Sequence, residues 1–145
     1  MVLNEVEIKK QIKNYQNKIA KLRRSNKDLR TNRKKCDDSY DEINSAIRRT
    51  EDKLNEQLNI VKKLCSNLPK NSKFASYYCE KMKNTVYSRS SNNALDSLYK
   101  AKDKLTKESS RIDEEIKKNN DKITIYTNEI NKLKKQLSMC KEETK

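Results

Sequence analysis

The stretch LDSLYKAKDKLTKESSRIDEEIKKNNDKITIYTNEINKLKKQLSMC, Leu95 to Cys140, decides the fold. Alternating steps of three and four residues from Leu95 reach Leu98, Lys102, Leu105, Ser109, Ile112, Ile116, Asn119, Ile123, Tyr126, Ile130, Leu133, Leu137 and Cys140. Eleven of these fourteen positions are apolar. Residues between them are almost all Lys, Glu, Asp, Asn, Ser or Thr. A 3.5-residue average spacing draws one narrow apolar stripe along an α-helix, and such a stripe needs a partner helix.

The partner lies earlier in the chain. From Ile8 the same alternation runs through Ile12, Tyr15, Ile19, Leu22, Asn26, Leu29, Arg33, Cys36, Tyr40, Ile43, Ile47, Thr50 and Leu54, again apolar at eleven of fourteen positions. Beyond Leu54 the stripe continues through Leu58, Val61, Cys65 and Leu68 after one extra four-residue step, a stutter. Asn4 followed by Glu7 has the spacing of a reciprocal helix cap. Pro69 pushes Leu68 out of the α region and ends the helix there. Ser72 is placed to cap a middle helix over 73–87, with Ala75, Tyr78, Cys79, Met82 and Val86 on one face and Phe74 and Tyr77 beside it. A second break is expected at Ser88-Arg89-Ser90-Ser91-Asn92-Asn93, with Asn93 capping the last helix.

The arms Ile8–Leu54 and Leu95–Cys140 each span about 70 Å at 1.5 Å per residue. Their equality predicts a single all-α domain over 1–145: an elongated, coiled-coil-like antiparallel helical hairpin with a short apical helix. Arm one covers about 4–67, the apical segment 68–93 and arm two about 94–142. In this hairpin residue i faces roughly residue 148 − i. The end of the basic run then lies opposite Asp113-Glu114-Glu115, and Asn26 comes within a turn of Asn119.

Composition agrees. There is no Gly, Trp or His, a single Pro, 39% charged residues and 32% hydrophobic ones. Without glycine, the positive-φ backbone of tight hairpins and phosphate-cradling loops is hard to make, which disfavours sheets. A nucleophile with its base, or a paired acid–base site in a cleft, cannot be assembled without histidine from carboxylates scattered along helix faces. No enzymatic activity and no cofactor are therefore expected. The four cysteines, Cys36, Cys65, Cys79 and Cys140, form no C-x-x-C pair, which argues against zinc. Met1 to Lys10 has no apolar core of the signal-peptide kind, so a cytoplasmic chain with reduced, buried thiols is expected. Cys65 and Cys79 flank the apical turn, and a bridge between them is the alternative to free, buried thiols. No run of apolar residues suits a bilayer, so membrane insertion is not expected.

Net charge is +14, and the run Lys21 to Lys35 carries eight basic residues against Asp28 alone. Arg23, Arg24, Lys27, Arg30, Lys34 and Lys35 are its candidate nucleic-acid patch, although no exposed aromatics interleave with it. The apolar surface of the middle helix, Phe74, Tyr77, Tyr78, Met82 and Val86, is the candidate protein-partner surface.

The opening Ile8-x3-Ile12-x2-Tyr15-x3-Ile19-x2-Leu22 and the closing Ile116-x6-Ile123-x2-Tyr126-x3-Ile130-x2-Leu133 enclose a short middle segment containing Phe74. This arrangement resembles the small helical-hairpin proteins of the Gram-positive type VII secretion system, nearest to the YwqH-like accessory proteins, WXG-related, that accompany LXG toxins. Those proteins carry a W-x-G turn; this chain has neither Trp nor Gly, and Phe74 is the aromatic nearest that place. The resemblance implies a non-enzymatic targeting factor that binds the helical N-terminal domain of an LXG-type toxin. It also implies that Tyr99-x-x-x-Asp103 is the export motif, and that the chain leaves the cytoplasm with its partner by a signal-peptide-independent route. Two other readings stay open beside it: a structural coiled-coil homodimer or spacer, and a basic hairpin that binds nucleic acid. A second hairpin protein is a further candidate partner, because two arms leave apolar flanks uncovered.

Overall fold

The computed structural model describes residues 4–70, 72–87 and 90–143. Three helices make up the regular structure of these residues: α1 (Glu5–Ser66), α2 (Lys73–Tyr87) and α3 (Ser90–Glu143). The protein is an all-α helical hairpin, with α1 packed antiparallel on α3.

Each boundary has a local cause. The Glu7 amide donates to Asn4 Oδ1 (2.9 Å) and the Asn4 amide to Glu7 Oε2 (3.4 Å), a reciprocal cap that starts α1. At its far end the Asn67 and Leu68 amides donate to the Leu64 and Cys65 carbonyls, tightening the last turn before Pro69. No described residue has positive φ, so this C-terminus is closed without the left-handed cap that glycine usually supplies. Ser72 Oγ accepts from the Ala75 amide (3.4 Å) and opens α2. The expected break before α3 is shorter than its composition suggests. Helix α3 already begins at Ser90, so Asn93 lies inside it rather than at its cap. Ser and Asn cost well under 1 kcal/mol each in a helix, and continued backbone hydrogen bonding outweighs that. Ser88 and Arg89 lie outside the described residues.

The chain divides into two compact units, Met1–Lys35 with Ser109–Lys145, and Cys36–Glu108. In the first, Ile8, Ile19, Ile112, Ile130 and Leu133 are buried. Ile12, Tyr15, Leu22, Leu29, Ile116, Ile123, Tyr126 and Leu137 are half-buried along the same α1–α3 seam. The Tyr15 and Tyr126 rings pack with centroids 5.5 Å apart, and Lys18 Nζ stands 5.5 Å from both. One seam position is buried and polar: Asn26, 2% exposed. Its Nδ2 donates to Asn120 Oδ1 (3.0 Å), and its Oδ1 accepts from Asn119 Nδ2 (2.9 Å). Arg33 Nε pairs with Asp113 Oδ1 at 3.1 Å. Both contacts sit within one turn of the expected register.

In the second unit Ile47, Val61 and Ala75 are buried. Tyr40, Ile43, Leu54, Leu98 and Leu105 are half-buried on the α1–α3 seam. The polar seam residue Lys102 is accommodated by Tyr40, whose ring centroid lies 5.2 Å from its ammonium. Cys65 and Cys79 are joined in a disulfide, with Cα atoms 5.7 Å apart. The expectation of reduced thiols throughout is corrected at this pair. The short connection turns α2 back along α1 and brings the two backbones within disulfide reach. Cys36 is a half-buried free thiol in this unit, and Cys140 is half-buried in the other.

Candidate functional site

Among the described residues, most of the exposed large apolar side chains lie in the second unit. Phe74 is 69% exposed, Tyr77 54% and Tyr78 48%, whereas Met82 and Val86 are half-buried on the flank of α2. The spacing explains the split. Ala75, Cys79, Met82 and Val86 follow each other by threes and fours on the inward face of α2. Phe74 and Tyr78 stand a step to one side of it, one turn apart, with ring centroids separated by 4.7 Å. Tyr77 meets Tyr78 edge to face at 6.4 Å and carries the Lys81 ammonium 4.8 Å above its ring.

Sequence reasoning missed the other half of this surface. Ile60 and Leu64, on the last turns of α1, are 58% and 50% exposed. The stripe through Leu58, Val61, Cys65 and Leu68 drew attention to the inward face, while Ile60 and Leu64 form their own i, i+4 pair beside it. That second spacing was the available signal. Leu64, Leu68, Phe74, Tyr78 and Met82 together line an apolar hollow of ≈ 360 Å³. A wider polar concavity of ≈ 720 Å³ lies against Lys70, Lys73, Tyr77, Glu80 and Lys83.

Tyr99 and Asp103, the pair expected to form an export motif, lie on α3 in the same unit. Tyr99 donates its hydroxyl to Glu51 Oε1 (2.9 Å), and that carboxylate holds the phenol above the ordinary tyrosine range. Asp103 pairs with Lys107 at 3.1 Å, one turn along the helix. Both residues are exposed.

The basic run lies in the first unit. Arg23, Arg24, Lys27, Arg30, Lys34 and Lys35 are all exposed, while Arg33 turns to Asp113. Val6, Ile125 and Met139 are exposed apolar side chains of that unit which the seam pattern leaves out.

Among the described residues no three His, Cys, Asp or Glu side chains come together in a way suited to a metal ion. No described helix is long and apolar enough to cross a membrane. No protein-family model, characterised protein or solved structure is similar enough to this chain to match it.

Proposed function

We propose that this chain is a non-enzymatic helical interaction protein that binds a helical protein partner through α2 and the end of α1. A single observation carries the reading. The α1–α3 seam residues are buried or half-buried, whereas Ile60, Leu64, Phe74, Tyr77 and Tyr78 are exposed, and Leu64, Phe74 and Tyr78 share one apolar hollow. Exposed apolar patches of this kind mark interaction sites. The sequence resemblance to type VII accessory proteins supports the helical N-terminal domain of an LXG-type toxin as the partner. Tyr99 and Asp103 then serve as the export signal for a complex that leaves by a signal-peptide-independent route.

Co-expression tests this. The chain is expected to co-purify one-to-one with such a toxin domain, and Phe74→Asp with Tyr78→Asp is expected to abolish the complex. Failure of the wild-type chain to retain any LXG domain refutes the partner assignment.

The basic run favours a second reading, nucleic-acid binding, because seven of its eight cations are exposed on one stretch of α1. That reading predicts salt-sensitive binding that weakens when Arg23, Arg24 and Arg30 are neutralised. Absence of binding at low salt disposes of it.

A further inference from the structure

We propose that the occupant of the apolar hollow is an acidic amphipathic helix, which lies between α1 and α2 and places an apolar anchor against Leu64 and Phe74. The inference rests on the helical-partner reading and specifies the chemistry of that partner.

Shape is the first argument. Ile60 and Leu64 on the last turns of α1, with Leu68 just beyond its end, make one side, and Phe74, Tyr78 and Met82, spaced i, i+4, i+8 along α2, make the other. All but Ile60 line the hollow. Two antiparallel ridges with a hollow between them accept a third helix, whose Leu or Phe fills the cavity in the helix-in-groove mode. A flat bilayer face leaves the hollow empty. The walls are covalently tied, since Cys65 follows Leu64 and Cys79 follows Tyr78, and these cysteines form the disulfide. A site whose two halves are held at fixed spacing loses less entropy on binding.

Charge is the second argument. Between Ile60 and Tyr87 the sequence carries six lysines, Lys62, Lys63, Lys70, Lys73, Lys81 and Lys83, against one carboxylate, Glu80. All seven are exposed. Three of them, Lys70, Lys73 and Lys83, line the polar concavity of the same unit, so a helix with Glu or Asp flanking its apolar stripe meets lysine-rich surroundings. A second copy docked through this same face would instead oppose lysines to lysines.

The test uses the full-length, oxidised chain in fluorescence-anisotropy titrations with two labelled synthetic helical peptides. Both carry Leu at i, i+3, i+4 and i+7; one is flanked by Glu and the other by Lys. The Glu-flanked peptide is expected to bind, and the Lys-flanked one at least roughly tenfold more weakly. Leu64→Ser with Phe74→Ser, at solvent-exposed positions and checked for helicity, is expected to weaken the Glu-flanked peptide by roughly tenfold or more. Equal binding of the two peptides overturns the proposal. So does binding to phosphatidylglycerol vesicles with no binding to peptide, which points to a lipid surface. Self-association that Phe74→Ser removes overturns it in favour of a second copy. The two readings fail separately. A toxin-domain complex that survives Leu64→Ser with Phe74→Ser overturns the groove alone. Retained Glu-peptide binding without any toxin-domain complex overturns the toxin assignment alone.

Discussion

Asn26 is the sharpest place to test how this hairpin holds its register. It is 2% exposed, and its amide exchanges hydrogen bonds with Asn119 and Asn120 across the α1–α3 seam. Each such bond contributes about 0.5–1.5 kcal/mol net, so Asn26→Ala should cost about 2 kcal/mol. Asn26→Leu behaves differently. A buried Leu gains about 2 kcal/mol of transfer free energy, which offsets the lost bonds, while half-buried Asn119 keeps its contact with Ser25 Oγ (3.5 Å) and exposed Asn120 rehydrates. Its stability should fall within about 1 kcal/mol of wild type. With both Asn26→Leu and Asn119→Leu no polar group is stranded, and the chain should become about 1–2 kcal/mol more stable. It should also lose uniqueness. Leu22, Leu29, Ile116 and Ile123 already flank these positions, and once the amides are gone a heptad slip pairs apolar with apolar. Urea denaturation followed by far-ultraviolet circular dichroism measures the stabilities. Ring-to-ring nuclear Overhauser effects between Tyr15 and Tyr126, whose centroids lie 5.5 Å apart, report the register. The reasoning is refuted if Asn26→Ala costs less than about 0.5 kcal/mol, or if the double-Leu variant keeps a single, unbroadened set of Tyr15–Tyr126 cross-peaks.

Three further outcomes are expected. Reducing the Cys65–Cys79 disulfide, which links residues 14 apart, should remove roughly 3 kcal/mol of stabilisation from the second unit. Amide exchange in α2 should accelerate while exchange around Asn26 stays the same; unchanged α2 protection contradicts this. Arg33→Ala should cost no more than about 1 kcal/mol, because its partner Asp113 is largely exposed and the pair is screened by salt; a larger loss in the urea midpoint contradicts that. The Tyr99 phenol has a folded-state pKa raised by Glu51, so its contribution is fully present below the ordinary tyrosine value of about 10 and is lost as pH rises through the raised value. Tyr99→Phe should flatten this alkaline arm of a stability-versus-pH curve, and an identical arm in the variant refutes the assignment.

Much of the fold could be read from residue spacing because a helical hairpin is a nearly one-dimensional object. The three-four alternation through Ile8–Leu54 and Leu95–Cys140 specifies which face of each helix is apolar. The equal lengths of the two runs then pair them. Asn4 with Glu7 and Ser72 with Ala75 could be read because capping is a contact between near neighbours. The start of α3 was harder. Ser90 to Asn93 tolerates both helix and cap, and no short-range signal chooses between them.

The apical surface divides along the same line. The aromatic content of α2, its separation from the long helices at Pro69 and its lysine-rich surroundings follow from the order of residues alone. That Phe74 and Tyr78 face outward beside Leu64, and that Cys65 reaches Cys79, follows only once α2 is laid against α1. The rotation of one helix against another is set by side-chain packing between segments that share no periodic relation. The sequence therefore determined two long helices, their seam and their approximate register. Tertiary structure alone decided which apolar residues left off that seam came together as a groove, because that depends on how the short helix turns against its neighbour.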